Sequence, residues 1–309
     1  MNAPRKGVDG FALRTMALLC LVWGVQQVVI KRAAVDIAPV MQAAGRSGLA
    51  ALLVGGLMRW RGAGEGVRQG TLPAGLLAGL LFGVEFLLIA QGLRYTTASH
   101  ISVFLYTAPI FSALGLHLGV PSERLRRLQW LGIGLCFAGI ALALGGGLGA
   151  PTLDSRMLLG DALGVLAGLA WGLTTVVVRT SRLSEAPATL TLFYQLAVGT
   201  VLLLAVAAGM GQLGQVRLTP LGVGSVLFQG VVVSFLSYLC WFWMLRRYLA
   251  SNLAVLSFLT PLFGVTFGVL VLDEPLSWSF VAGAVLVLLG ITLVNGEPWV
   301  RRWLSLRRA

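Results

Sequence analysis

The sequence predicts an all-α membrane protein, with ten transmembrane helices folded as two five-helix inverted repeats around a central cavity. Three observations carry that reading. The 309 residues are 57% hydrophobic and only 11% charged, with a mean hydropathy of +0.88, far too apolar for an ordinary soluble domain. Long uncharged blocks recur along the chain, each near the roughly 20 apolar residues that a helix needs to cross a bilayer. Finally, Trp23-Gly-Val-Gln-Gln-Val-Val-Ile-Lys31 reappears without a gap as Trp171-Gly-Leu-Thr-Thr-Val-Val-Val-Arg179, so the chain reads as a duplication.

The predicted spans are 11–30, 39–59, 72–93, 97–119 and 128–147, then 158–179, 188–209, 220–245, 250–272 and 278–295. Gly, Pro and polar residues at 148–157 interrupt the apolar pattern and divide the chain into repeats 1–150 and 151–309. The first span follows Arg5 and Lys6 as a signal peptide would, but its counterpart around Trp171 lies mid-chain. It is therefore expected to be a retained helix. In the third span, Gly75, Gly79 and Gly83 form a four-residue ladder; Gly160, Gly164, Gly168 and Gly172 form another in the sixth, and both predict close helix packing. The fourth and ninth spans correspond through Ala98-Ser99-His100 and Ala250-Ser251-Asn252, and through Pro109 and Pro261. These prolines predict mid-helix kinks that serve as hinges. Glu123 and Glu274 occupy the loops that follow, with interfacial structural roles, and Gly132 and Gly139 in the fifth span match Gly283 and Gly290 in the tenth.

A repeat with an odd number of spans enters the membrane from opposite sides in its two copies, which makes the repeat inverted. Loop cations agree with this arrangement. Arg5, Lys6, Arg59, Arg61, Arg124, Arg126, Arg127, Arg179, Arg246, Arg247, Arg301 and Arg302 fall on one side, against Lys31, Arg32, Arg94, Arg156 and Arg217 on the other. The positive-inside rule then puts both termini in the cytoplasm. The same placement accounts for the net charge of +12 without a nucleic-acid partner, since no basic and aromatic residues interleave on a soluble surface. Cys20, Cys136 and Cys240 each lie in an apolar block, offering neither a disulfide framework nor metal spacing.

Polar groups inside hydrocarbon are the functional candidates, because ionised side chains there are costly. Arg46 and Glu85 both fall roughly 10–14 Å from the outer ends of their spans, which puts them where they could pair. Glu85 then serves as a substrate-ammonium ligand or a coupling carboxylate, or else as half of a structural pair. His100, near the outer end of the fourth span, is a candidate extension of that network. Gln26, Gln27, Thr174 and Thr175 are the polar pairs of the repeated nonamer, expected to face a wet cavity or to bond neighbouring helices. Tyr238 corresponds to Glu85 in the other repeat, and Trp241 lies one turn beyond it. Together with Trp171 they offer either an aromatic cavity wall or interfacial rings.

The chain resembles the EamA family of the drug/metabolite transporter superfamily. The Trp-Gly-x6-Lys/Arg segments at Trp23 and Trp171, Pro109 and Pro261, and the loop acids Glu123 and Glu274 before Gly-rich final helices carry the resemblance over about residues 11–295. It implies a ten-helix basket around a cavity and export of metabolites or amino acids across a bacterial inner membrane, with the small-molecule solute and the bilayer as partners and no cofactor. An intramembrane lipid-modifying enzyme is disfavoured, since His100 and His117 are the two histidines and no His/Asp cluster supplies metal ligands or a catalytic base. A channel or receptor finds no filter-like sequence or sensor domain.

Overall fold

The computed structural model describes residues 9–61, 70–120, 124–145, 155–248, 253 and 256–306, and among these the chain is helical with no β-strand. Glu123, Ser251 and Asn252 lie outside the described residues, as do Arg5 and Lys6. In the first half, α1 spans Gly10–Arg32, α2 Pro39–Trp60, α3 Leu72–Gly92, α4 Ala98–Leu105, α5 Ala108–Gly119 and α6 Arg127–Gly145. In the second, α7 spans Ser155–Thr180, α8 Ala188–Gly209, α9 Pro220–Leu227, α10 Tyr238–Arg247, α11 Leu259–Leu272 and α12 Trp278–Leu306, with a π-helix over Phe228–Ser237 joining α9 to α10.

Local chemistry explains several boundaries. The Asp9 carboxylate accepts from the Ala12 backbone N–H at 2.7 Å and caps α1, whose last turn carries Lys31 and Arg32. α2 and α3 each begin with a proline in the first turn, where its missing N–H leaves no bond unmade. Among the described residues, seven helical stretches are long and apolar enough to cross a membrane, and Arg127–Ala143, Leu259–Leu272 and Trp278–Val294 form shorter apolar helices. Large apolar side chains such as Leu52, Val201 and Leu270 point outward, as suits a chain solvated by lipid.

The expected kinks at Pro109 and Pro261 are full breaks instead. α4 stops at Leu105, Tyr106 and Thr107 turn, and Pro109 then sits in the first turn of a new helix, α5. Likewise Ser257 and Phe258 turn immediately before α11, and Pro261 is its third residue. A proline in a first turn starts a helix at no hydrogen-bond cost, whereas a mid-helix proline must bend one.

Both glycine ladders let backbones touch. A Cβ on Gly168 would lie 2.5 Å from the Thr107 hydroxyl and 3.0 Å from the Phe104 carbonyl, one on Gly172 would lie 2.9 Å from the Ala108 carbonyl of α5, and Gly164 is a little looser against α4, with Ile101 and Phe104 at 3.1 Å. Gly79 and Gly83 take the Val198 and Leu202 side chains of α8. α6 and α12 cross at glycines too. A Cβ on Gly132 would meet the Gly290 carbonyl at 2.6 Å, and one on Gly139 the Gly283 carbonyl at 2.6 Å.

Candidate functional site

A cavity of about 1130 Å³ runs from the middle of the helix assembly to one face. Its mouth is formed by Arg124 and Arg126 ahead of α6, Arg179 at the end of α7, and Ser184 and Ala186 before α8. All eight residues expected to form a substrate cavity line it: Gln26, Gln27, Glu85, Trp171, Thr174, Thr175, Tyr238 and Trp241. Trp23 joins them, donating from its indole N–H to the Ser237 hydroxyl at 2.8 Å and meeting Trp241 edge-on at 5.7 Å between ring centroids. Across the cavity Trp171 meets Tyr106 edge-on at 5.4 Å. Aromatic edges and faces thus surround a few polar groups, the usual composition of a small-molecule site.

The two polar pairs of the nonamer behave differently. Thr174 and Thr175 donate back to the carbonyls of Ala170 and Trp171, each one turn earlier on α7, so their hydroxyls still offer acceptors to the cavity. The Gln27 side-chain carbonyl is buried and accepts no hydrogen bond from the described protein. Pro109 also lines the cavity, and Pro261 does not.

The candidate ion pair between Arg46 and Glu85 is not formed. Lys31 pairs with Glu274, and His100 lies against Asp161. Arg46 instead holds its guanidinium over the Phe86 ring, 3.7 Å from the centroid. Depth along two helices fixed the level of these charges but not their facing, because each residue turns the helix surface by about 100°.

The face opposite the mouth is closed by bonds between the two halves of the chain. Lys31 donates to Glu274 at 3.3 Å and to the Thr96 carbonyl at 2.7 Å. Glu274 accepts from the backbone N–H groups of Ala98 and Ser99 at 2.7 and 2.9 Å and from the Ser99 hydroxyl at 2.7 Å, capping α4 from outside its own sequence. Burial raises the Glu274 pKa, but the Ser99 hydroxyl, the two N–H groups and Lys31 outweigh it and hold the carboxyl below its usual range. Beside this cluster, His100 Nδ1 lies 2.9 and 3.0 Å from the Asp161 carboxylate oxygens, and the Thr96 hydroxyl donates to Asp161. The imidazole stacks on Phe280 with centroids 3.8 Å apart. His100 therefore belongs to the closed face, with Asp161 rather than Glu85 as its carboxylate. Sequence reasoning passed over Asp161, although it is an acid within an apolar span and so carries the signal that singled out Glu85.

Profile comparison matches residues 11–145 and again 158–296 to the EamA-like transporter family. The chain belongs to the EamA-like transporter family. Among its relatives, an uncharacterised transporter of Archaeoglobus fulgidus is 29% identical over 91% of this chain and 96% of its own length. A Salmonella typhimurium protein named a probable amino-acid metabolite efflux pump is 27% identical, covering 92% and 93% of the two chains. A solved crystal structure with 15% identity aligns over 93% of this chain and 96% of its own, with a TM-score of 0.63, a likeness of fold alone. Family membership and the apolar helices together make this EamA chain a multi-pass membrane transporter.

Proposed function

We propose that this EamA transporter exports small metabolites, amino acids or amphipathic and cationic solutes, by alternating access across a bacterial inner membrane. The observation that carries the reading is the polarity of the cavity: it reaches one face through an arginine-rimmed mouth, while the other is sealed by Lys31, Glu274, Asp161 and His100. The arginine-rich face is the cytoplasmic one by the positive-inside rule, so both termini are cytoplasmic and the cavity is open for loading from inside.

The three shorter apolar helices complete ten spans in this reading, and the halves 1–150 and 151–309 form an inverted repeat. The glycine crossing supports it. Gly132 meets Gly290 and Gly139 meets Gly283, while sequence correspondence equates Gly132 with Gly283 and Gly139 with Gly290. Such reciprocal contacts are those of a two-fold axis between antiparallel helices. The breaks before Pro109 and Pro261 then act as hinges in equivalent places, letting each half tilt around a solute held near the midplane.

The solute's apolar part packs on Trp23, Trp171, Tyr238 and Trp241, and Glu85 attracts a cationic group from the cavity wall. Reference to an amino-acid efflux pump among the relatives supports amino acids as the first solutes to test. Purified protein in liposomes is expected to show saturable, counterflow-stimulated movement of at least one amino acid. Non-saturable flux would favour a channel, and no flux across a broad metabolite panel would remove the reading. Glu85→Gln separates its two roles: loss of solute-dependent proton movement with retained binding marks coupling, and loss of binding marks ammonium recognition.

A further inference from the structure

Arg46 is fully buried, 0% exposed, eight residues into α2 from the closed face, and among the described residues none of its three side-chain nitrogens meets an acceptor in full hydrogen-bonding geometry, the Tyr238 hydroxyl being the polar group beside it. A guanidinium carries five N–H donors in one plane. The Phe86 ring covers its face, and with the Tyr238 hydroxyl as their polar neighbour those in-plane donors keep spare capacity. Few uncompensated groups cost a membrane protein more, so the arrangement calls for a use.

The surroundings point to the cavity. Phe86 both covers Arg46 and lines the cavity, and Glu85 and Tyr238, which also line it, are the titratable groups that face the guanidinium. The π-helix packs along α2 beside it, and its Ser234 hydroxyl and Gln229 side-chain carbonyl are buried without partners as well. Long π-helical runs are rare and concentrate at functional sites. Arg46 itself stands behind the cavity wall, separated from it by Phe86, and among the described residues Glu85 lines the cavity without forming an ion pair with that arginine.

We propose that Arg46 is the anion subsite of the cavity, taking the carboxylate of a zwitterionic, amino-acid-type substrate whose ammonium faces Glu85, with the Phe86 ring turning aside as the carboxylate enters. A single planar guanidinium suits a carboxylate, which it binds through two parallel hydrogen bonds. Glu85 alongside opposes a doubly charged anion such as phosphate. This inference rests on the transport reading above and names the substrate class of the same cavity.

The test compares proteinogenic amino acids with their α-carboxamides, which keep the ammonium and side chain but lack the anion, in liposome counterflow and thermal-shift binding. Wild type is expected to favour a transported acid over its amide by about 100-fold, the worth of a bidentate charged contact. Arg46→Gln should bring the acid down to the level of its amide and raise the apo melting temperature, because it removes an uncompensated buried charge. Arg46→Lys should keep part of the acid preference. An equal wild-type response to acid and amide would overturn the proposal while leaving transport intact, and so would an undiminished preference in Arg46→Gln. Failure of Arg46→Gln to fold would mark a structural charge and overturn it as well. If wild type moves no amino acid at all, the transport reading fails and the proposal falls with it.

Discussion

The two ends of the cavity differ: one is closed by bonds around Glu274 and Asp161, and the other is bordered by arginines. At the closed face α3 packs extensively along α7, with Gly92 against Gly160, while at the arginine-rich end α1 and α10 meet through side chains, Phe11 edge-on to Trp243 and Tyr248 donating to Asp9. Lys31, at the end of the first nonamer, is tied to Glu274 and the Thr96 carbonyl, while Arg179, at the end of the second, lines the cavity. Under the transport reading proposed above, the duplicated sequence encodes two gates, of which this conformation has formed one. What distinguishes the gates is contact rather than composition, so substitutions should weigh unequally on them.

Gly160→Ala should have the largest effect. Its Cβ would come 2.7 Å from the Thr96 backbone nitrogen and 3.0 Å from the Gly92 carbonyl, neither of which can rotate away. Overpacking of this kind is expected to cost about 3 kcal/mol of unfolding free energy and to loosen the closed face. Gly134→Ala, where a Cβ meets nothing within 4 Å, is the control and should leave the unfolding transition in detergent unchanged.

Glu274→Ala comes next, at about 2 kcal/mol, because it strips the cap of α4 and leaves Lys31 without its carboxylate. Acid should mimic it. The folded pKa of Glu274 lies below the unfolded value of about 4.3, so its stabilisation is present above that pH and is lost as pH falls through the folded value. Reagent access to the closed face should therefore rise in strong acid in wild type and stay flat in Glu274→Ala.

Arg124→Ala should be the mildest change, within about 0.5 kcal/mol, since the side chain is exposed at the mouth. Its effect should appear instead as a salt-dependent change in the rate at which charged solutes load.

Much of this comparison was legible in the sequence. Hydropathy places the span 188–209 on the bounds of α8, and 39–59 and 72–93 within a residue of α2 and α3, because uninterrupted apolar runs have no competing structure in lipid. The eight cavity residues could be gathered because a polar group in an apolar span has few places to go. Facing was less legible. The breaks at Tyr106 and Thr107 and the π-helix over Phe228–Ser237 depend on packing against α7 and α2, which no local pattern records. The sequence offers Arg46 and Glu85 as partners, yet it is Phe86 that lies over the guanidinium.

Single cysteines placed in a background lacking Cys20, Cys136 and Cys240 test the asymmetry most directly. Ser184→Cys borders the mouth and Thr96→Cys lies buried in the closed face. A membrane-impermeant thiol reagent is expected to label Ser184→Cys rapidly from the arginine-rich side and to leave Thr96→Cys protected from the other. Adding transported solute should accelerate labelling at position 96 while slowing it at position 184. Equal labelling of both positions, or solute moving both rates in the same direction, would contradict two gates that open in alternation.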